Sequence, residues 1–247
     1  MIKAVAFDFD HTLDVRPKAY DNLAKDFFTF FTDYLRPGIT FEEVHAAIKG
    51  ADGKSFARKR TAEEKNGSVD PDKHWMGIYN ANLATGIFAR EPGYDVYYYG
   101  FIEKVFPSTL VLAEDTMPTL AWLREQGYTT GILTNGPSKF QKAKLDATGI
   151  ISAVDHVVLC GDLEKQKPHS LPFEVICEKM GCRPEEAVYV GDNAINDMDG
   201  ARRAGMIPVW ISTTGVWPGG IEPVRYTIKA IGELPELLKT IEREASL

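Results

Sequence analysis

The stretch Ala4-Val5-Ala6-Phe7-Asp8-Phe9-Asp10-His11-Thr12 decides the reading of this chain. An unbroken apolar run describes a strand covered on both faces, unlike the alternation of a strand with one wet side. The run ends on two aspartates flanking a phenylalanine. A carboxylate at the end of a buried strand is costly to desolvate unless a cation or a reaction balances it.

Working outward, the same arrangement recurs. The first strand is expected over residues 5–9. Strand-like runs at 130–133, 156–160, 187–190 and 207–211 deliver Thr134-Asn135-Gly136, Gly161-Asp162, Gly191-Asp192-Asn193 and Ser212-Thr213-Thr214. Helical patterns lie between the later runs, at 115–126, 139–148, 172–180 and 197–204. Each is followed by a glycine (Gly127, Gly149, Gly181, Gly205), the usual C-terminal stop. Strands alternating with helices predict an α/β fold, a parallel sheet with helices on both faces. Ligands of such sheets sit beyond the carboxyl ends of the strands, where the polar residues just named fall.

Residues 16–107 break the rhythm. They read as helices: an aromatic face with Phe27, Phe28, Phe30, Phe31 and Tyr34, a capping box at Thr40-Phe41-Glu42-Glu43, an N-cap with proline at Asp70-Pro71, and a helix over 95–106. An all-helical module is therefore expected inside the core. The core is assigned to 1–15 and 108–247, the insert to 16–107, and the tail from Ile231 to a last helix.

The 247 residues suffice for one domain plus such an insert, and 44% hydrophobic with 26% charged residues is ordinary for a globular chain. A net charge of −7 argues against non-specific binding to a nucleic acid polymer. No run approaches the roughly 18 apolar residues of a membrane span. The short start before Asp8 lacks the apolar segment of a signal peptide. Cys160, Cys177 and Cys182 are too few for a disulfide framework and suit a reducing cytoplasm. No His or Cys partners complete a zinc site with them.

The polar residues make a consistent set. Asp8 is the candidate nucleophile, since a carboxylate can attack phosphorus and split hydrolysis into two steps. Asp10, projecting to the same side if the strand continues, can protonate a leaving alkoxide and then deprotonate water. Asp192 with Asp8 suits Mg²⁺, which takes one or two carboxylates, waters and phosphate oxygens. Asp197 either orients a metal-bound water or binds the ion; otherwise it is a helix-start acid. Thr134, backbone N–H groups at Asn135 and Gly136, and Lys167 can hold phosphoryl oxygens. Lys165 is the rival lysine. Thr12 bonds backbone or phosphate. His11 has no vacant role. The basic run Arg58-Lys59-Arg60 and the tyrosines 97–99 read more simply as a solvated face and as packing.

In order along the chain, Asp8-Phe9-Asp10-His11-Thr12-Leu13, Leu133-Thr134-Asn135-Gly136, Lys167-Pro168 and Gly191-Asp192-Asn193 with Asn196-Asp197 resemble the four motifs of the haloacid dehalogenase-like (HAD) superfamily of phosphohydrolases. The resemblance implies a Rossmann-like core, a Mg²⁺ cofactor, an aspartyl-phosphate on Asp8 and a cap in the helical insert. It also implies that Asp10 gives its backbone carbonyl to the metal, so that Asp8, Asp10 and Asp192 form the metal set. The family's dehalogenases carry no acid at the second aspartate, because halide leaves unprotonated; Asp10 therefore points to a phosphatase. His11 stands where glycine is commoner.

The expectation is Mg²⁺-dependent hydrolysis of a small phosphorylated metabolite. A phosphomutase of the same family and a catalytically silent metabolite-binding protein are the alternatives. A response-regulator receiver domain shares the residue types, but it differs in their order and in length. Substrate and oligomeric state are not legible.

Overall fold

A computed structural model of the chain describes residues 1–57, 71–218 and 221–245, without the side chains of 16–17, 52–57 and 71–74. The Arg58–Arg60 run and the Asp70 cap lie outside the described residues. The chain divides into two compact units. One comprises residues 1–14, 112–218 and 221–245, the other 15–57 and 71–111.

The first unit is built on a six-stranded parallel sheet of order β3-β2-β1-β4-β5-β6. Its strands are β1 (Ala4–Phe7), β2 (Thr129–Thr134), β3 (His156–Leu159), β4 (Ala187–Gly191), β5 (Ile207–Ile211) and β6 (Tyr226–Ile228). The expected first strand is two residues too long at its end. Pairing with β4 continues only as far as the Asp8 N–H, which donates to the Val190 carbonyl at 2.9 Å. The chain then turns, with the Thr12 and Leu13 N–H groups both donating to the Phe9 carbonyl. His11 sits in that turn at φ 61°, left-handed backbone that glycine enters at no steric cost and that histidine tolerates better than most residues. β6 was not anticipated: three residues at a sheet edge carry too little pattern.

β1 is central, with β2 and β3 to one side and β4 to β6 to the other. Its four residues are fully buried, which is why the run has no polar alternation. Ala4 and Ala6 join Leu133, Val158, Tyr189 and Trp210 in one core with Phe173 and Ile176 of a helix over Ser170–Lys179 and with Met180, which caps it. That helix lies close enough to β2 that a side chain at Gly131 would meet the Ile176 Cδ1 at 2.9 Å. Among the described residues, the α-helices of this unit are those of Thr116–Glu125, Ser138–Thr148, Ser170–Lys179, Gly200–Ala204 and Leu234–Ala245. The last buries Leu234, Leu238 and Ile241, a one-sided stripe at helical spacing. The expected helix at 197–204 is instead a π-helical turn, Ala194–Asp199, followed by the short Gly200–Ala204 helix.

The second unit is helical, with α-helices at Arg16–Phe30, Phe41–Ala57 and Pro71–Leu83. The capping box is present: the Thr40 N–H donates to Glu43 Oε2 at 2.8 Å and the Glu43 N–H to Thr40 Oγ1 at 3.2 Å. The helix expected over 95–106 is a π-helix, Val96–Ile102, then a 3₁₀ turn, Phe106–Thr109. Phe27, Phe31, Tyr97 and Phe101 are buried and pack ring on ring; the Phe27 and Phe101 centroids lie 5.3 Å apart, edge to face. Tyr97 and Tyr98 are thus core residues, and Tyr99 is half exposed.

Candidate active site

The site forms where β1, β2 and β4 end, at the point where the strand order reverses. Asp8 follows β1, Thr134 closes β2, and Asp192 follows β4. Lys167 comes from the loop after β3. Its chain position is fixed by Asn135, whose Oδ1 accepts from the Lys167 N–H at 2.9 Å and whose Nδ2 donates to the Lys167 carbonyl at 3.0 Å.

Lys167 is buried, and an ammonium has three N–H groups to satisfy. It donates to Asp8 Oδ1 at 2.8 Å, Asp197 Oδ1 at 2.7 Å and the Tyr189 hydroxyl at 2.8 Å. The Tyr189 hydroxyl in turn donates to the Leu133 carbonyl at 3.0 Å. Lys165 is only partly buried, so of the two lysines it is Lys167 that meets the nucleophile candidate. Burial alone would lower the Lys167 pKa, but Asp197 and Asp8 overcome it and hold the group charged.

Carboxylate oxygens of Asp8, Asp192 and Asp197 lie within 4.8 Å of one another. Asp197 reaches them because β4 ends in glycine. A Cβ on Gly191 would stand 2.6 Å from the Asp197 side chain. The second Asp197 oxygen accepts from the Asn193 N–H at 2.9 Å, and Asn193 itself caps the π-turn through the Ile195 and Asn196 N–H groups. Burial pushes the Asp8 carboxyl up to about 7 against the pull of Lys167, with Asp197 and Asp10 adding repulsion. Burial and then the Asp197 and Asp8 charges push Asp192 well above the usual carboxylate range. Three acids packed this closely, with Lys167 the cation bonded to two of them, fit a divalent cation held by carboxylate oxygens. The carboxylate set that the structure brings together includes Asp197, which the sequence leaves open between orienting a metal-bound water, binding the ion and starting a helix.

The Asp10 side chain points elsewhere. Lys144 Nζ bonds both of its oxygens at 2.6 Å, and Gln141 Nε2 donates to Oδ2 at 3.0 Å. Gln141 also bonds the buried Thr134 hydroxyl. Both helix residues, and Tyr189, escaped the sequence reading. Thr12 is buried beside these groups in sequence, and among the described residues its hydroxyl finds no hydrogen-bond partner. Asn135, expected at phosphate, spends its side chain on Lys167.

Fold and site together define an α/β protein with clustered acids, and a buried lysine bonded to two of them, at the switch point of a parallel sheet. A family model for haloacid dehalogenase-like hydrolases matches residues 2–205, and the chain belongs to that family. It is 34% identical over 140 residues to the N-acylneuraminate-9-phosphatase of Homo sapiens, covering 56% of each chain. The chain thus spans little more than half the length of that relative. A glyceraldehyde 3-phosphate phosphatase of Methanothermobacter thermautotrophicus is 28% identical over 215 residues, 86% of this chain and 87% of that one. A HAD phosphatase structure from Thermococcus onnurineus superposes with a TM-score of 0.62 at 28% identity, covering 96% of this chain and 98% of that one. No helix among the described residues is long and apolar enough to cross a membrane.

Proposed function

We propose that the chain is a Mg²⁺-dependent phosphomonoesterase that works through an aspartyl-phosphate on Asp8. The observation that carries this reading is the Asp8 carboxylate, held by buried Lys167 at 2.8 Å among the Asp192 and Asp197 acids at a strand end. A carboxylate placed there can attack phosphorus while Lys167 offsets charge on the transferring group.

In the first step an Asp8 oxygen bonds to phosphorus and the ester oxygen leaves, taking a proton from Asp10. In the second, Asp10 takes a proton from water, which attacks the aspartyl-phosphate; inorganic phosphate leaves and Asp8 is restored. Thr134 and the Asn135 and Gly136 backbone donors face the phosphoryl oxygens, and Thr12 offers its unspent hydroxyl. Asp8, Asp192 and the Asp10 carbonyl, with Asp197 adjacent, would hold Mg²⁺, which would supply charge neutralisation there.

Residues 15–57 and 71–111 are assigned as the cap that selects substrate. The substrate class is a small phosphorylated metabolite, and the free cysteines Cys160, Cys177 and Cys182 suit a cytoplasmic setting. Asp10 separates this reading from a dehalogenase, which needs no acid for its leaving group.

The test is a panel of phosphomonoesters with Mg²⁺, including N-acylneuraminate 9-phosphate, glyceraldehyde 3-phosphate, glycerol phosphate and p-nitrophenyl phosphate. Release of inorganic phosphate that stops on chelation supports the assignment. No turnover of any ester favours the silent binding protein, and phosphate passed to a second position of a sugar favours the mutase.

A further inference from the structure

We propose that Lys144, with Gln141, is the positioning group for Asp10: it holds the carboxylate that handles the leaving-group proton. The inference rests on Asp10 being the acid and base of the proposed hydrolysis.

Lys144 lies one turn beyond Gln141 on the Ser138–Thr148 helix, so both face the same way. Its ammonium meets both Asp10 oxygens at 2.6 Å and the Gln141 Oε1 at 2.6 Å. The Phe9 and Phe140 rings stand 5.6 Å and 5.2 Å from it, walls that favour a cation. Lys144 is only 3% exposed. It therefore has no open face for a substrate, and its charge acts through what it touches. The Asp10 side chain keeps 26% of its surface open, enough to meet a reacting oxygen while Lys144 holds both carboxylate oxygens from the buried side.

Gln141 ties the grip to the rest of the site, because its Nε2 reaches both Asp10 Oδ2 and the Thr134 hydroxyl. The acid from the β1 turn and the hydroxyl ending β2 thus share one anchor. A merely structural ion pair would need neither arrangement. The Lys144 contact fixes the direction of a side chain that springs from a turn rather than from a strand, and turns hold direction poorly without such help.

The experiment compares Lys144→Met with wild type on p-nitrophenyl phosphate and glycerol phosphate. A good leaving group needs little protonation, so the variant is expected to lose about 10-fold or more in kcat on the alkyl ester and under about 3-fold on the aryl ester. In an Asp10→Asn background the same change is expected to add almost nothing, since the residue acts through Asp10. Mg²⁺ affinity, read by calorimetry, is expected to stay within about 2-fold. Lys144→Gln, which keeps hydrogen bonding without charge, gives the same pattern to a smaller degree and serves if the methionine variant does not fold. Equal losses on the two esters, or full additivity with Asp10→Asn, overturn the inference while leaving Asp10 its role. If Asp10→Asn itself fails to discriminate between the esters, the acid assignment falls and this inference falls with it.

Discussion

Gly191 carries a sharp prediction because nothing about its backbone demands glycine. Its φ is not in the left-handed region, so alanine brings no conformational strain there. What it brings is a methyl group 2.6 Å from the Cβ, Cγ and Oδ2 of Asp197, where ordinary contact begins near 3.4 Å. Asp197 must retreat by about 0.8 Å, and it cannot do so freely. One of its oxygens is 2.7 Å from Lys167 and the other 2.9 Å from the Asn193 N–H. Retreat stretches both bonds and loosens the lysine that meets Asp8.

Overpacking of this kind costs about 1–3 kcal/mol, a fall of several degrees in Tm for a chain of this size. A misplacement near 1 Å in a positioning group costs on the order of 10²-fold in rate. Gly191→Ala is therefore expected to fold, melt a few degrees lower and lose about 100-fold in kcat/KM for its best ester. Gly50→Ala is the control. It lies in the Phe41–Ala57 helix with nothing within 4 Å of the added Cβ. It should gain about 0.5–1 kcal/mol in stability and keep full activity. Gly191→Ala with wild-type melting and wild-type turnover would show that the Asp197 contact places nothing.

Asp8→Asn removes the proposed nucleophile while keeping shape, and phosphate release should fall by about 10⁴-fold or more; near-normal turnover would mean another group attacks phosphorus. Tyr189→Phe leaves one Lys167 donor and the Leu133 carbonyl without their shared hydroxyl. It should cost about 1–3 kcal/mol in denaturant unfolding and lower kcat more than it raises KM; an unchanged midpoint counts against the network. The Asp8 pKa, raised to about 7, gives a metal-dependent pH effect. An acid whose folded pKa is raised contributes stability below its ordinary value near 3.8 and loses it as pH climbs toward 7, so metal-free protein should melt lower at pH 8 than at pH 5.5. Mg²⁺ must displace that proton at the lower pH, so its Tm gain should be larger at pH 8, and equal gains at both pH values would reject the ion from the Asp8 cluster.

Which residues of the site were legible follows from how each reaches it. Asp8, Thr134 and Asp192 end runs that must be buried, and a polar residue closing such a run is conspicuous wherever it occurs. Lys167 was conspicuous only through Pro168 and the order of the other residues. Tyr189 was hidden for the opposite reason. It lies inside β4, where an aromatic residue reads as core, and only its hydroxyl, which must find a partner when buried, hinted otherwise. Asp197 left two readings open because an acid early in a helix needs no ligand to explain it. The answer lay in Gly191, six positions earlier, whose missing side chain makes room for it. Gln141 and Lys144 were the hardest. Polar residues on a surface helix normally face water, and period 3.6 assigns them there by default. Yet the apolar residues of 138–148 are few, and the buried set includes Phe140, Gln141, Lys144 and Leu145. Without the two polar members that buried face is too narrow to seat a helix on a sheet. A helix with too small an apolar stripe, beginning just after a strand that ends in the buried Thr134 hydroxyl, has a reason to turn polar side chains inward: the charge waiting there is Asp10, from the turn after the neighbouring strand.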